Sequence, residues 1–534
     1  MGASDLMELA LAALLLAFAL AWRPLIEPFA QRLAQKPAWS MLLLAALPVV
    51  LRLALLPRHP APVPDIYDEF SHLLVADTLR HFRLANPAHP LSQFFETFFV
   101  LQQPTYSSIY PIGQGLLLAL GWIIFGSAWA GVVLAVAALG AACYWTLRAW
   151  TTPGWALAGG LLAVMEFGPL NQWMNSYWGG ALPAVAGCLV FGALPRLRRG
   201  GGVGGAILLG LGLAIHLLTR PYESIFLLIG VALFVFPGWR PLTRSLSVAA
   251  LVVLPAIGVT VLQNKQVTGS WSTLPYTLSQ YQYGVPAALT FQPSPEPHLP
   301  LTREQELDYK MQLSFRGERE ETMGSYLRRL AYRIRYYRFF FMPPLYLVLP
   351  LSFLALRQPR YARVFLCSLI FALGVNFFPA FQYHYMAGVA CLFVLISIAG
   401  LQQLDRLSPL AARVIFLLCF GQFAFEYGLH VFSGDKWSLA LRNLERRVQI
   451  NSQLAVMPGK QLVFVRYWPH HIFQDEWVYN AAAIDGAPVV WARDLGGEEN
   501  EKLRRYYPDR AAWLLEPDAR PPRLSTYAAP APVP

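Results

Sequence analysis

Charged residues are scarce in this chain. Asp and Glu number 31 and Lys and Arg 42 among 534 residues, or 14%, where a soluble domain carries about 25%. The deficit excludes a protein folded wholly in water. Cysteine is also rare. Its five residues, Cys143, Cys188, Cys367, Cys391 and Cys419, all lie inside apolar runs, which excludes a disulfide framework and a thiolate metal site in the polar loops. The opening stretch, MGASDLMELALAALLLAFALAW, lacks Lys and Arg and carries Asp5 and Glu8. A secretory signal needs a cationic start, so this stretch predicts a retained first helix with its N-terminus outside. No internal repeat of the kind transporters show is evident.

What is present is apolar: 56% of residues are hydrophobic and 14% aromatic. Runs long enough to span begin near Leu6, Trp39, Trp129, Trp155, Ala181, Gly204, Ser224, Leu246, Phe341, Val364, Met386 and Val414. The expected fold class is therefore an all-α polytopic membrane protein with about 12 transmembrane helices over residues 1–433, followed by a small α/β domain over 434–534. Between the runs lie Arg23, Arg32 and Lys36; Arg148; Arg196, Arg198 and Arg199; Arg240 and Arg244; Arg357, Arg360 and Arg363; Arg406 and Arg413. Alternating the spans puts all of these on one face, which the positive-inside rule makes cytoplasmic. This bias also accounts for the net charge of +11 without a nucleic-acid partner. The parity holds only if GLLLALGWIIFG (Gly115 to Gly126) is a re-entrant or interface-lying helix, and it is too short to span.

That topology sends the polar chemistry to the exoplasmic face: the loop 58–128, the turns NQWMNSYWGG, TRPYES and QYHY, the long loop 263–340, and the tail. In the tail, LVFVRY, PVVWARD and AAWLLEPD read as strands and EENEKLRRYY as an exposed helix. His470 and His471 in WPHHIFQDEW match no standard metal spacing and read as surface residues.

The strongest candidate site is PDIYDEFSHLLVADTL, directly after the second span. Asp68 and Glu69 at a membrane boundary suit a catalytic base or a divalent-cation contact. They suit equally the first turn of a helix, where acids cap. Glu96, Gln103, Tyr106 and Tyr110 combine an acid, an amide and aromatic faces, a mixture that fits a sugar or an amphipathic surface helix. Arg220, with Tyr222 and Glu223, follows a span containing His216 and could hold a lipid phosphate or pair with Glu223. Tyr383 and His384 are candidates for phosphate or sugar contact, or for an interfacial aromatic belt. The basic run SYLRRLAYRIRYYRFFFMPP reads as an interfacial helix that attracts an anionic lipid donor or anchors to ordinary lipid.

The segment DEFSHLLVADTL, followed after a loop by YPIGQGLLLALGWIIFG, resembles the opening of GT-C glycosyltransferases, in their protein-O-mannosyltransferase-like and aminoarabinose-transferase-like branches. YHYMAG near the last spans is similar to the family's His-Tyr element. The resemblance implies a transferase that moves a hexosyl or pentosyl group from a polyprenyl-phosphate donor to a glycan, lipid or protein hydroxyl. It implies a bacterial cytoplasmic membrane, with Asp68 and then Glu69 as base or metal contact. The family's second exoplasmic acid is missing: NQWMNSYWGG offers Asn171 and Asn175 instead. A flippase of lipid-linked sugars, or a non-catalytic envelope assembly protein, are the rival expectations.

Overall fold

The structure is a computed structural model. It describes residues 23–200, 202–236, 242–317, 321–432 and 445–527, with single positions 10, 13, 14, 16, 17, 21 and 439. The expected span near Leu6, the N-terminus, Arg240 and the start of the tail at 434 lie outside the described residues. The chain divides into two compact units. One comprises Met1–Pro62, Trp129–Val259 and Glu321–Leu439, and the other Val63–Ala128, Thr260–Glu320 and Ala440–Pro534.

The first unit is helical. Among the described residues seven helices are long and apolar enough to cross a membrane: Pro37–Ala54, Ala128–Leu147, Ala181–Arg198, Gly202–Thr219, Thr243–Thr268, Tyr383–Leu407 and Pro409–Phe432. Each coincides with an expected span, and the chain is a multi-pass membrane protein. The spans expected near Trp155, Ser224 and Val364 are shorter helices, Pro153–Phe167, Pro221–Val235 and Pro359–Val375. The span expected near Phe341 does not form as one helix. It is broken into Ile334–Phe340, Pro343–Leu347, Leu349–Ser352 and Phe353–Arg357. Pro343, Pro344 and Pro350 explain the breaks, because each lacks an N–H and its ring crowds the preceding turn.

Tyr383–Leu407 is almost wholly buried among the other helices. Small residues permit the approach: a Cβ on Gly187 would lie 2.0 Å from the Gly388 carbonyl oxygen. At one end of this unit Arg148, Arg199, Arg360 and Arg406 surround one cavity, so the loops that carry them gather together. Elsewhere, the buried Arg52 donates to Asn175 Oδ1 (2.7 Å) and to the carbonyls of His59 and Pro60. The Asn175 amide donates in turn to Pro169 and Asn171. The two asparagines found where the resemblance led one to look for an acid therefore hold a turn together.

In the second unit, three short strands, β1 (Asn86–Pro87), β2 (Val100–Leu101) and β3 (Thr105–Ser108), form an antiparallel sheet in the order β1-β3-β2. The tail supplies β4 (Lys460–Val465), β5 (Val489–Arg493), β6 (Arg510–Glu516) and β7 (Arg523–Thr526) in the order β5-β4-β6-β7. β4 runs parallel to β5 and β6, and β7 is an antiparallel edge. The helix Gly497–Tyr506 links β5 to β6, which flank β4 on either side, the crossover that parallel strands need. Buried side chains of the first loop (Phe94, Phe95, Val100, Tyr106) and of the tail (Phe464, Val490, Leu503) share one core. Ile112–Phe125 has 14 residues, too short to span. It lies so close to the Tyr67–Arg80 helix that a Cβ on Gly115 would meet Val75 Cγ1 at 2.3 Å. Its Ile123, Ile124 and Phe125 are 60–63% exposed, an apolar face suited to a membrane surface.

Candidate active site

The site of the second unit begins at the N-terminus of the Tyr67–Arg80 helix. Ile66 is extended and cannot cap with its side chain, so Glu69 reaches back. Its Oε2 accepts from the amides of Asp65 (2.7 Å) and Ile66 (3.3 Å), and the residue is 1% exposed. Glu69 thus takes the capping position, and Asp68, half-buried, is the adjacent acid. Tyr110 donates its hydroxyl to Asp68 Oδ1. The Tyr110 ring stacks on His72, one helical turn beyond Asp68, with centroids 4.2 Å apart and planes at 23°. The Tyr110 carbonyl accepts from Gln263 Nε2 at 2.9 Å, which fixes the loop that carries it. Ser71 completes the frame by donating to the Phe99 carbonyl (2.6 Å) while its Oγ lies 2.7 Å from that of Ser108.

A second acid near Asp68 escaped the sequence reading. Asp308 lies on the Arg303–Arg316 helix and is 0% exposed. Its Oδ2 accepts from Gln312 Nε2 at 2.8 Å, and its Oδ1 has no hydrogen-bond partner among the described residues. Burial pushes this carboxyl up to about 7; the Gln312 amide pulls it down, and the charge of Asp68 raises it further. A signal for it was present in REQELDYKMQLSFR. Glu304, Asp308 and Gln312 recur at intervals of four and are all buried, while Leu307 and Phe315 are 36% and 52% exposed. The inward stripe is polar and the outward one apolar, the reverse of an ordinary surface helix.

Because the folded state holds the Asp308 proton more tightly than the unfolded value of 3.8, its contribution is fully present below about 3.8 and is lost as the pH rises through about 7. Asp308→Asn removes the titration. The wild type is expected to lose about 1.4 kcal/mol of stability per pH unit relative to the variant across that window. Parallel unfolding curves of the two proteins at several pH values check the difference; identical slopes would contradict the buried acid.

Glu96, half-buried, belongs to the same unit. Its carboxylate accepts from Tyr283 (3.4 Å) and from Gln305 Nε2 (3.2 Å). Burial raises its pKa, against the hydrogen bonds from Gln305 and Tyr283 and the charge of Arg493. Tyr106 is 3% exposed and donates to the Asn480 carbonyl at 3.0 Å. Its hydroxyl thus joins the first loop to the tail. Gln103 has an exposed side chain, and its carbonyl accepts from Gln282 Nε2 at 2.9 Å. His471, expected on the surface, is 8% exposed, with Nδ1 2.8 Å from Asp518 Oδ1 and its ring stacked on Tyr467.

The remaining candidates belong to the first unit. Arg220 places its guanidinium 5.5 Å from the centre of the Tyr385 ring, which brings TRPYES and QYHY together. Tyr222 donates to the Gly374 carbonyl at 3.0 Å. Glu223 is 3% exposed with Oε1 unpartnered among the described residues, and His216 Nδ1 lies 2.7 Å from Ser224 Oγ. Tyr383 stacks on Phe339 at 4.3 Å, and His384, 4% exposed, meets the Trp178 ring edge-on at 5.2 Å. In the basic run, Arg329 and Arg333 donate to the carbonyls of Asn376, Val375, Phe378 and Pro379. These two arginines pin a loop of the bundle. Arg335 lies flat over Tyr332, 3.6 Å from the ring centre. The exposed Met323, Leu327, Tyr332 and Ile334 give the run the apolar face of an interfacial helix.

Among the described residues no group of three or more His, Cys, Asp or Glu side chains is placed to hold a metal ion. In the Asp68–Glu69 pair one oxygen of each carboxylate is already engaged, Glu69 Oε2 by two backbone amides and Asp68 Oδ1 by Tyr110.

A many-helix membrane body interrupted by polar loops, with a small terminal sheet, is a GT-C-like fold, as its likeness to solved structures shows. The chain is similar over 89% of its length, and 92% of the other chain, to ArnT from Cupriavidus metallidurans bound to undecaprenyl phosphate, with a TM-score of 0.52 and 12% identity. It is similar to the apo state of the same protein over 90% and 93%, with a TM-score of 0.50 and 12% identity. A weaker likeness, TM-score 0.48 at 10% identity over 90% of this chain and 69% of that one, is to an oligosaccharyltransferase from Archaeoglobus fulgidus in the apo form. No family model and no curated protein matches the sequence.

Proposed function

We propose that this protein is a glycosyltransferase of a bacterial cytoplasmic membrane, moving a sugar from a polyprenyl-phosphate donor to an acceptor hydroxyl on the exoplasmic side. The observation that carries the reading is the Asp68 carboxylate held by Tyr110 beside His72 at the head of a buried-capped helix. The GT-C fold supports it, and ArnT of that fold is bound to undecaprenyl phosphate. Asp68 takes the proton of the acceptor hydroxyl as that oxygen bonds to the anomeric carbon. The bond from that carbon to the phosphate oxygen breaks, and the lipid leaves as its phosphate monoester. In the first unit, Arg220, with Tyr222 and Glu223 beside it, carries forked donors suited to a lipid phosphate, and the Arg220 guanidinium lies over Tyr385, next in the chain to Tyr383 and His384. Glu96 and Gln103 serve the sugar, while Tyr106 and Glu69 position the loop and the helix.

The Tyr110 hydroxyl donates to Asp68 Oδ1, so Tyr110→Phe removes a hydrogen bond that favours the ionised carboxylate. The acidic limb of the pH–rate profile is expected to move to higher pH, with the alkaline plateau less affected. Release of free polyprenyl phosphate from a panel of polyprenyl-phosphate sugars, followed across pH, reads both. An unshifted limb would mean that Asp68 is not the base.

A further inference from the structure

The transfer chemistry uses none of the arginines at the end of the first unit where the basic loops gather. There they line a cavity of about 380 Å³. Arg148, Arg199, Arg360 and Arg406 contribute four guanidinium groups, and Gln402 and Gln403 add amides. No carboxylate lines the cavity among the described residues, and none of the four arginines makes an ion pair there. Their few hydrogen bonds are to neutral acceptors: Arg199 to the Ala149 carbonyl (3.0 Å), Arg360 to Gln358 Oε1 (3.1 Å) and the Trp150 carbonyl (3.5 Å), and Arg406 to Gln403 Oε1 (3.1 Å). Four like charges around one cavity repel one another unless an anion sits among them.

The backbone adds to this field. Thr151, Thr152 and Gln358 also line the cavity. Thr152 is the N-cap of Pro153–Phe167 and Gln358 that of Pro359–Val375, and neither side chain caps its helix. Two helix N-termini therefore turn positive dipole ends towards the space that the arginines surround. The Trp150 and Tyr361 rings and small alanines complete the wall. Basic pockets between transmembrane helices suit lipid headgroup phosphates, and forked guanidiniums suit phosphate oxygens in general.

We infer that this cavity is a binding site for a phosphate-bearing anion with at least two phosphate groups, distinct from the transfer site and independent of its chemistry. Such a ligand is either the headgroup of an anionic phospholipid or a soluble diphosphate.

The full chain, purified in detergent, tests this with two probes: cardiolipin against phosphatidylethanolamine by native mass spectrometry, and inorganic pyrophosphate by thermal shift. The paired variant Arg148→Gln/Arg406→Gln is expected to bind at least about tenfold more weakly. The paired control Arg198→Gln/Arg357→Gln, which removes the same charge from residues that do not line the cavity, is expected to bind like the wild type. Loss confined to cardiolipin identifies a lipid site, and loss confined to pyrophosphate a soluble ligand. Either result supports the site. Failure of both probes to bind the wild type, equal weakening in both pairs, or unchanged binding in the cavity pair overturns it. If the glutamine pair does not fold, Arg148→Lys/Arg406→Lys keeps the charge and removes the fork. Weaker binding then supports the site, and wild-type binding overturns it.

Discussion

Asp68→Asn is expected to lower the rate of sugar transfer by about 10²–10⁴-fold, the range over which a positioned base acts. The amide keeps the size of the side chain and its hydrogen bond with Tyr110 while removing the proton acceptor. The loss is therefore expected in kcat, with donor binding retained. Glu69 makes the contrast sharp. Its carboxylate caps two amides, and glutamine fills that capping position as well as glutamate does, so Glu69→Gln is expected to leave transfer near the wild-type rate. Glu69→Ala loses the cap, at about 1 kcal/mol of stability. Transfer by the Asp68→Asn protein within a few-fold of wild type would remove the proposed mechanism. Inactivity of Glu69→Gln would move the base by one residue.

Arg493→Met is expected to destabilise the second unit by roughly 3–5 kcal/mol. The guanidinium is 5% exposed and donates to the Glu96 carbonyl (2.6 Å), to Glu304 Oε2 (2.6 Å) and to Glu476. Burial works against its charge, and Glu476 and Glu304 more than offset that and raise its pKa. One side chain of the tail sheet thereby fastens the first loop and the 260–320 segment to β5. Methionine fills similar space but strands two buried carboxylates. The expected result is a lower unfolding temperature with early proteolysis of residues 440–527. Adding Glu304→Gln and Glu476→Gln to the Arg493→Met protein is expected to recover much of the loss, since neutral amides tolerate the missing partner. No change in the protease pattern of the single variant would show that the network is not what joins these segments.

Much of the fold was legible because membrane helices are written locally. A span is one uninterrupted apolar stretch, and seven such stretches became long helices where the hydropathy put them. Among the described residues, the run near Phe341 failed to form one helix for a reason also present locally, in Pro343, Pro344 and Pro350. The tail strands LVFVRY, PVVWARD and AAWLLEPD were readable from their β-branched and aromatic content, whereas β7 (Arg523–Thr526), short and mixed, was not.

The candidate site was half legible. Asp68 stood out because an acid at the end of a span is rare, but Asp68 and Glu69 are neighbours of the same chemistry. Only the direction of each side chain, one back to its own helix terminus and one to Tyr110, separates a cap from a candidate base. Asp308 was hidden because a single acid in a polar helix is ordinary until its burial is known. The contacts of Tyr106 and Arg493 were hidden for the same reason. Their partners, Asn480 and Glu96, are 374 and 397 residues away, and no local pattern encodes such a distance.

The sequence by itself therefore determined that this is a multi-pass membrane protein, where its seven long apolar helices among the described residues begin, and that its first polar loop opens on an acid pair. These follow from the transfer of side chains between water and lipid, which each residue decides nearly independently of the rest. Only the tertiary structure decided which acid caps and which is held by Tyr110, buried Asp308 where the charge of Asp68 reaches it, and gathered four arginines around one cavity. Those outcomes depend on burial and on charge acting across a few ångströms, which exist only once distant segments have packed.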